Sequence, residues 1–219
     1  MKECKLPTQK KCFEIINEHH VPLHIIRHCL AVAKLAVFLA KRLKEKNISV
    51  NVELVERTAL LHDIARVCDF KKLDYNKFNQ TVMQADKAKW EQLRVEHKGI
   101  YHEEAAYQIL KARFPTLALV IKKHRYIGML DKEDKPKSWE EKLVFYADMR
   151  IMHDKITPLK QRLEEGHKRN VHFHGSAEQS RINTAKVDPL IFKLEEEIFA
   201  KIGLEPLEVT DEFIDTFGG

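Results

Sequence analysis

Histidine and aspartate occur among apolar residues at several places where a buried polar group is costly. The stretch 58–66, Thr-Ala-Leu-Leu-His-Asp-Ile-Ala-Arg, carries His62 and Asp63 side by side between apolar flanks. A carboxylate inside an apolar core costs several kcal/mol of folding free energy unless a partner compensates it. A bound cation is one such partner, because an adjacent His–Asp pair can offer a nitrogen and an oxygen to the same ion.

Other predicted helices carry similar candidates on their apolar faces: His28, His102, His124 and Asp148. A single inward histidine is usually a hydrogen-bonded core residue, whereas an unpaired inward aspartate such as Asp148 is rarer. Five helices that each bury a polar group favour one shared explanation, which is a metal ion. Imidazole and carboxylate ligands without thiolate suit Mn, Fe, Co, Zn or Mg.

The elements that must position these residues are helices. The chain has only 7 Gly and 7 Pro in 219 residues, and no series of strand-like alternations separated by glycine turns is visible. Apolar periodicity therefore predicts an all-α fold. Ser138, with Glu141 three residues later, predicts a capping box at one helix start. The helical stretches are predicted at 10–18, 23–46, 52–67, 76–95, 102–113, 117–125, 139–154, 158–170 and 188–203.

Charge and cysteine content limit the partners and the location. The 38 basic and 33 acidic residues are interleaved, so the net charge of +5 indicates solvated helix faces and argues against a nucleic-acid partner. A mild positive bias suits an anionic small substrate. The most apolar run, 30–40, contains Lys34 and is too short to span a bilayer, so no membrane partner is expected. The four cysteines form no close pair, and a cytoplasmic protein with reduced thiols is predicted.

The order of the candidate ligands resembles that of the HD superfamily of metal-dependent phosphohydrolases. Residues 21–33 (VPLHIIRHCLAVA) are similar to the first ligand helix of that family, and 60–65 (LLHDIA) to its HDIG variant motif, with Ala65 in place of the usual glycine. Residues 102–110 and 120–124 resemble the two extra histidine segments of that subgroup, and 139–148 resembles its last ligand helix. The similarity covers about residues 21–170.

The resemblance implies a multi-helix HD-domain bundle with a metal site at its centre. His28, His62, Asp63 and Asp148 would bind one ion. His102 and His124 would complete a second site, with Asp63 bridging. Two ions about 3.5–4 Å apart could clamp a phosphate and activate a water to attack phosphorus. The expected activity is therefore metal-dependent hydrolysis of a phosphoester of a nucleotide or related small molecule, with one or two divalent ions as cofactors.

The division expected from this resemblance has three parts: an N-terminal helical extension at 1–20, the HD domain at 21–170, and a C-terminal loop, helix and acidic tail at 171–219 that pack on the domain. The catalytic candidates are His62, Asp63 and Arg66. Arg66 is also the first candidate for a phosphate contact, because it directly follows the motif. The weaker substrate-binding candidates are Lys98 and Arg125, which neighbour the histidine segments.

Several alternatives stay open at the level of sequence. An HD-type di-iron oxygenase could use the same ligand set, and a non-catalytic module could use it to sense a nucleotide or metal. A homo-oligomer is also open. His102 is preferred over His97 for the family position because of the spacing to Ile109 and Leu110. His153, His167, His172 and His174 are interpreted as non-ligands. His24, one turn before His28, could support a ligand, and a structural role is preferred for it.

Overall fold

The computed structural model describes residues 5–78, 80–170 and 176–217. Within these residues the chain forms ten α-helices, which confirms the all-α prediction. A two-stranded antiparallel hairpin, β1 (Ile151–Met152) and β2 (Lys155–Ile156), pairs Ile151 with Ile156. Short 3-10 helices lie at Arg66–Asp69, Tyr75–Phe78 and Tyr126–Leu130. The α-helices are α1 (Gln9–Glu18), α2 (Leu23–Glu45), α3 (Val52–Leu61), α4 (Gln84–Glu96), α5 (His102–Leu110), α6 (Pro115–Lys122), α7 (Trp139–Arg150), α8 (Leu159–Asn170), α9 (Ala177–Ile202) and α10 (Asp211–Thr216).

Helix α2 is the centre of the bundle, and it packs against α3, α7 and α9. Val32, Leu35 and Leu39 are fully buried at helical spacing, and His28 lies one turn before Val32 on the same stripe. In the described part of the chain, α2 is the one helix long and apolar enough to cross a membrane by length and composition. The apolar run at 30–40 is thus the middle of a longer helix. Packing within the bundle accounts for its apolar face.

Helix α3 ends earlier than predicted, and this places the His–Asp pair outside the helix. The prediction of a helix over 52–67 is wrong beyond Leu61, where His62 caps the helix. The His62 Nδ1–H donates to the Ala59 carbonyl at 2.8 Å. In a continuing helix that carbonyl would accept from the amide of Asp63. The side chain therefore competes with the helical ladder, and the chain turns into the 3-10 helix Arg66–Asp69.

The other helix boundaries were predicted with mixed success. The Ser138–Glu141 capping box is confirmed at the start of α7, but α7 stops at Arg150 and the hairpin replaces the predicted helix up to 154. The predicted stretch 76–95 divides into a 3-10 turn and α4. Helix α9 begins at Ala177, well before the predicted start at 188, because Ser176 caps it by accepting from the amide of Gln179 at 3.1 Å.

A buried arginine fastens the C-terminal segment to α7. Arg150 is 1% exposed and donates to the carbonyls of Thr157, Pro206 and Val209. It also pairs with Glu195 of α9 at 3.2 Å. Helix α9 packs against α2, α7 and α8. Residues of α8 and of the first turns of α9 line the same cavity as the predicted ligands.

Candidate metal centre

The structure brings the six predicted ligands together. His28 comes from α2, His62 and Asp63 from the turn after α3, and Asp148 from α7. His102 is the first residue of α5, and His124 follows the end of α6. His62, Asp63, His102 and His124 are buried, and the Asp148 side chain is 14% exposed. We refer to these six residues as the cage.

All four cage histidines are held in the same way. In each ring Nδ1 carries the proton and donates it to a fixed acceptor, so the lone pair is on Nε2. Anchoring of this kind sets the tautomer and orientation of metal-binding histidines in proteins. The acceptors are the carbonyl of His153 for His28 (3.0 Å), of Ala59 for His62 (2.8 Å) and of Ile121 for His124 (2.5 Å), and the Asp69 carboxylate for His102 (2.5 Å).

The Nε2 atoms converge on carboxylates and on each other. His102 Nε2 lies 2.9 Å from Asp63 Oδ1 and 3.0 Å from His124 Nε2. His28 Nε2 lies 2.9 Å from Asp148 Oδ1. His62 Nε2 is buried without a hydrogen-bond partner, 3.7 Å from the same oxygen. With Nδ1 fixed as a donor in each ring, Nε2 is the nitrogen available to a cation, whether a proton or a metal ion, and a cation is what such a cluster is suited to hold.

The pKa shifts of Asp63 and His102 show the same preference of the cage for positive charge. Burial alone would raise the pKa of Asp63, but His62, Arg66 and His102 hold it well below its usual range. Burial would lower the pKa of His102, but the carboxylates of Glu103 and Asp63 raise it to about 9. The carboxylates therefore stay ionised, and the histidines beside them favour a positive charge in the cage.

The ligand atoms fall into two groups that share Asp63. One group is His28, His62 and Asp63, and the other is Asp63, His102 and His124. Within each group the atoms lie within 4.8 Å of one another. The residues of the first group would suit a divalent ion, and Asp63, His102 and His124 offer ligand atoms that would suit a second.

Sequence reasoning missed the residue that orients His102. Asp69 Oδ1 accepts the backbone N–H of His102 at 3.1 Å, while Oδ2 accepts its Nδ1–H. Asp69 lies in the 3-10 helix after the motif, 33 residues away along the chain. The buried Glu103 carboxylate is 3.4 Å from the same ring nitrogen. A metal-binding histidine needs a hydrogen-bond acceptor at Nδ1. The sequence therefore implies that an acceptor residue exists for His102, but it does not say which residue that is.

Arg66, the first candidate for a phosphate contact, lies against the cage. Its guanidinium NH1 is 3.0 Å from His102 Nε2, and its Nε is 4.0 Å from Asp63 Oδ2. The side chain is 31% exposed and lines the same cavity as the cage. Arg66 is therefore the cation next to the second ligand group, and it faces the space that a substrate would enter.

A cavity of about 240 Å³ opens from the cage. Arg125 lines it, with its guanidinium 3.7 Å from the centre of the Tyr101 ring. Lys98 is exposed and does not line it, so this predicted substrate contact is not brought to the site. The cavity wall also includes residues of α8 and α9 that motif reasoning did not select: Arg162, Glu165, Gly166, Arg169, Ser180, Asn183 and Thr184.

The other histidines have varied positions. His24 lines the cavity and stacks on Phe70 with ring centres 6.3 Å apart. His153 contributes its carbonyl to the cage, and His167 lines the cavity wall. His97 is not among the residues that line the cavity. His172 and His174 lie outside the described residues.

The helical bundle brings together four histidines and two aspartates, among them an adjacent His–Asp pair. These features define a class of helical proteins with a buried site that is able to hold a metal ion. The HD domain family matches residues 25–152, more than half of the chain. The chain belongs to this HD domain family. The match contains every cage residue and ends before α8.

Two curated relatives are similar over parts of the chain. One is a tRNA (cytidine(56)-2'-O)-methyltransferase of Picrophilus torridus, 26% identical over 167 residues, which are 76% of this chain and 43% of that protein. The other is an uncharacterised protein of Methanocaldococcus jannaschii, 49% identical over 43 residues, which are 20% of this chain and 25% of that protein. The chain therefore spans less than half the length of each. No solved structure matches it significantly.

Proposed function

We propose that the protein is a metal-dependent phosphohydrolase that cleaves a phosphoester of a nucleotide or a related small molecule. The observation that carries this proposal is the cage itself: four Nε2 lone pairs and two carboxylates meet in a buried cluster beside an arginine-lined cavity. The cage supplies a place for a divalent ion, and the arginines supply the charge that a phosphate needs. Membership of the HD domain family supports the same reading.

The cage residues would hold the metal, with His28, His62, Asp63 and Asp148 around one ion and His102 and His124 at a second. A divalent ion in such a site lowers the pKa of a water that it binds and stabilises negative charge on phosphate oxygens. Asp63 stays ionised beside His62 and Arg66, so its carboxylate serves as a ligand and an acceptor.

The arginines would hold the substrate phosphate. Arg66 faces the cavity from the motif side, and Arg125 faces it with its guanidinium stacked over Tyr101. A guanidinium can donate two parallel hydrogen bonds to phosphate oxygens, which orients the group as well as binding it. The volume of about 240 Å³ lies just below the range of ligand pockets, about 300–1,000 Å³. A small phosphoester is therefore favoured over a nucleic acid. We also propose that the protein acts in the cytoplasm, because its free cysteines need no oxidising compartment.

Two other functions could use the same cage, namely oxygen chemistry at two irons and non-catalytic sensing of a nucleotide or metal. The arginines favour an anionic ligand over dioxygen, which needs no cationic side chains. The methyl transfer named for the Picrophilus torridus protein is not extended to this chain, because the match covers 43% of that protein.

Metal analysis and turnover together test the proposal. Purified wild-type protein is loaded with Mn, Co, Fe or Mg and assayed for phosphate release from a panel of nucleotides and an aryl phosphate. Asp63→Asn serves as the inactive control. His28→Ala should remove most of the metal and His124→Ala only the share bound in the second group. Absence of turnover with every metal and substrate contradicts the proposal, and a dioxygen-dependent iron spectrum replaces it with oxygenase chemistry.

A further inference from the structure

Helix α8 presents one face to the cavity, and that face is built around two arginines. Arg162, Glu165, Gly166 and Arg169 follow the spacing of residues on one side of a helix, and all four line the cavity. They lie after residue 152, where the HD family match ends. We call these four residues the α8 face. Its charge is unbalanced, since two guanidiniums share one carboxylate.

The Arg162 side chain is largely buried, and only part of its hydrogen-bonding capacity is used. Its side chain is 14% exposed, and its Nε donates to the carbonyl of Ile151 at 2.7 Å. Among the described residues, that is its one side-chain hydrogen bond, and its nearest carboxylate oxygen, on Glu165, is 3.7 Å away. The two terminal nitrogens therefore have no hydrogen-bond acceptor among the described residues, and Arg162 lines the cavity. They are donors that the oxygens of a ligand in the cavity could use.

Glu165 does not neutralise this face. Its Oε2 is buried without a hydrogen-bond partner, 3.7 Å from Arg162 and 3.6 Å from Arg169. Both separations are ion-pair distances that are too long for hydrogen bonds. One carboxylate thus lies between two guanidiniums, and the face keeps a net positive charge toward the cavity.

Gly166 makes room for this arrangement. A Cβ atom at position 166 would lie 2.9 Å from the Arg162 NH1, closer than real Cβ contacts allow. The flexible end of Arg162 would have to move away. Glycine in the interior of a helix lowers helix stability relative to alanine. Its presence at position 166 is explained by the space that the Arg162 guanidinium occupies.

The arginine of the α8 face and the arginine at the cage are held by different partners. Arg66 contacts His102 and Asp63, whereas the polar contacts of Arg162 are with Ile151 and Glu165. The same cavity therefore has one cationic group at the cage and another on α8. Such a pair of charges fits a ligand with two anionic groups.

We propose that the α8 face is a second anion-binding subsite and that the substrate carries a second phosphate besides the one removed at the cage. Arg162 binds that phosphate through its free terminal nitrogens, and Arg169 adds charge at the same face. The reaction at the cage rests on the phosphohydrolase proposal above. The subsite does not, because binding of the second phosphate requires no turnover.

Equilibrium binding to chelator-treated protein tests the subsite without hydrolysis. The probes are adenosine 5'-monophosphate and adenosine 3',5'-bisphosphate, measured by calorimetry. Wild-type protein should bind the bisphosphate about 10-fold to 100-fold more tightly, as expected for a charge-assisted hydrogen-bonded pair. Arg162→Gln should bring the two affinities to within about threefold of each other by removing that pair.

Gly166→Ala is the second variant, and Lys168→Gln is the matched control. Gly166→Ala keeps every charge and favours the helix, so a loss of preference there reports displacement of the guanidinium. Lys168 is exposed on the same helix and does not line the cavity, so its loss changes net charge equally and should leave the preference unchanged.

Equal affinity of wild-type protein for the two probes, or no binding of either, overturns the subsite. Loss of affinity for both probes alike in Arg162→Gln overturns it too, since the residue would then serve the first phosphate or the fold. Phosphate release by metal-loaded protein separates the two proposals. A bisphosphate preference without turnover supports the subsite and contradicts hydrolysis, whereas turnover without a preference does the reverse.

Discussion

Asp69→Asn should weaken the second ligand group and spare the first. Asp69 holds His102 twice, through its backbone N–H at 3.1 Å and its Nδ1–H at 2.5 Å. The amide that replaces the carboxylate keeps one acceptor oxygen but loses the charge that fixes the ring. Loss of such a partner costs about 10-fold to 100-fold in metal affinity, or about 1.4–2.7 kcal/mol. His28 and His62 have their own carbonyl anchors, so the first group should keep its affinity.

The assay is a metal titration against a chromophoric chelator, with stoichiometry read by elemental analysis. Asp86→Asn is the matched control, because Asp86 lies 2.6 Å from His20 Nδ1 outside the cavity. That variant tests the loss of an equivalent His–Asp contact elsewhere. Equal weakening of both metal equivalents in Asp69→Asn, or no weakening of either, would refute the reasoning that the Nδ1 anchor orients His102 for a separate group.

Two further outcomes follow from the cage and its supports. Divalent metal at about 100 times its dissociation constant should stabilise the protein by about 2.7 kcal/mol, measured as a rise of about 5–10 °C in Tm over chelator-treated protein; a His28→Ala variant that keeps the full rise would contradict the ligand assignment. Arg150→Met should lower the free energy of unfolding in urea by about 3–5 kcal/mol, because it removes the buried cation that pairs with Glu195 and donates to three backbone carbonyls, and it leaves Glu195 with the Tyr146 hydroxyl alone. Arg181→Met, at an exposed position on α9, should change the free energy of unfolding by less than about 0.5 kcal/mol. A similar cost in both variants would refute the stabilising role of Arg150.

The cage was accessible to sequence reasoning because each of its members sits where helical periodicity already predicts burial. His28 shares the stripe of Val32 and Leu35, and a polar residue on such a stripe needs a partner. The all-α class followed from the same periodicity and is confirmed. The meeting of the ligands within a few ångströms was predicted from the order of the motifs, whose spacing resembles that of the HD family.

The exact ends of the elements were less accessible, because side chains decide them. The Nδ1–H of His62 takes the carbonyl of Ala59, and a pattern of apolar residues contains no sign of that competition. Helix α9 was predicted too short since its first turns are polar and Pro189 suggests a break. Its Ser176 cap and its packing against α8 outweigh both signals.

The contact of the α8 face with the cavity could not be predicted, because it depends on where α8 lies in the fold. In the sequence, 158–170 reads as a basic, solvated helix, and the spacing of Arg162 and Arg169 is that of any helix face. Placement beside the cage depends on tertiary contacts of α8, among them its packing against α7 and α9 and the hydrogen bond from Arg162 to the Ile151 carbonyl. The metal cage therefore comes from the part of the chain that the HD family defines, whereas the cavity wall opposite comes from the part that follows it. In the proposed function, the cage residues serve the chemistry and α8 serves the choice of substrate, so a change in the helices after residue 152 would alter the ligand while the cage stays the same.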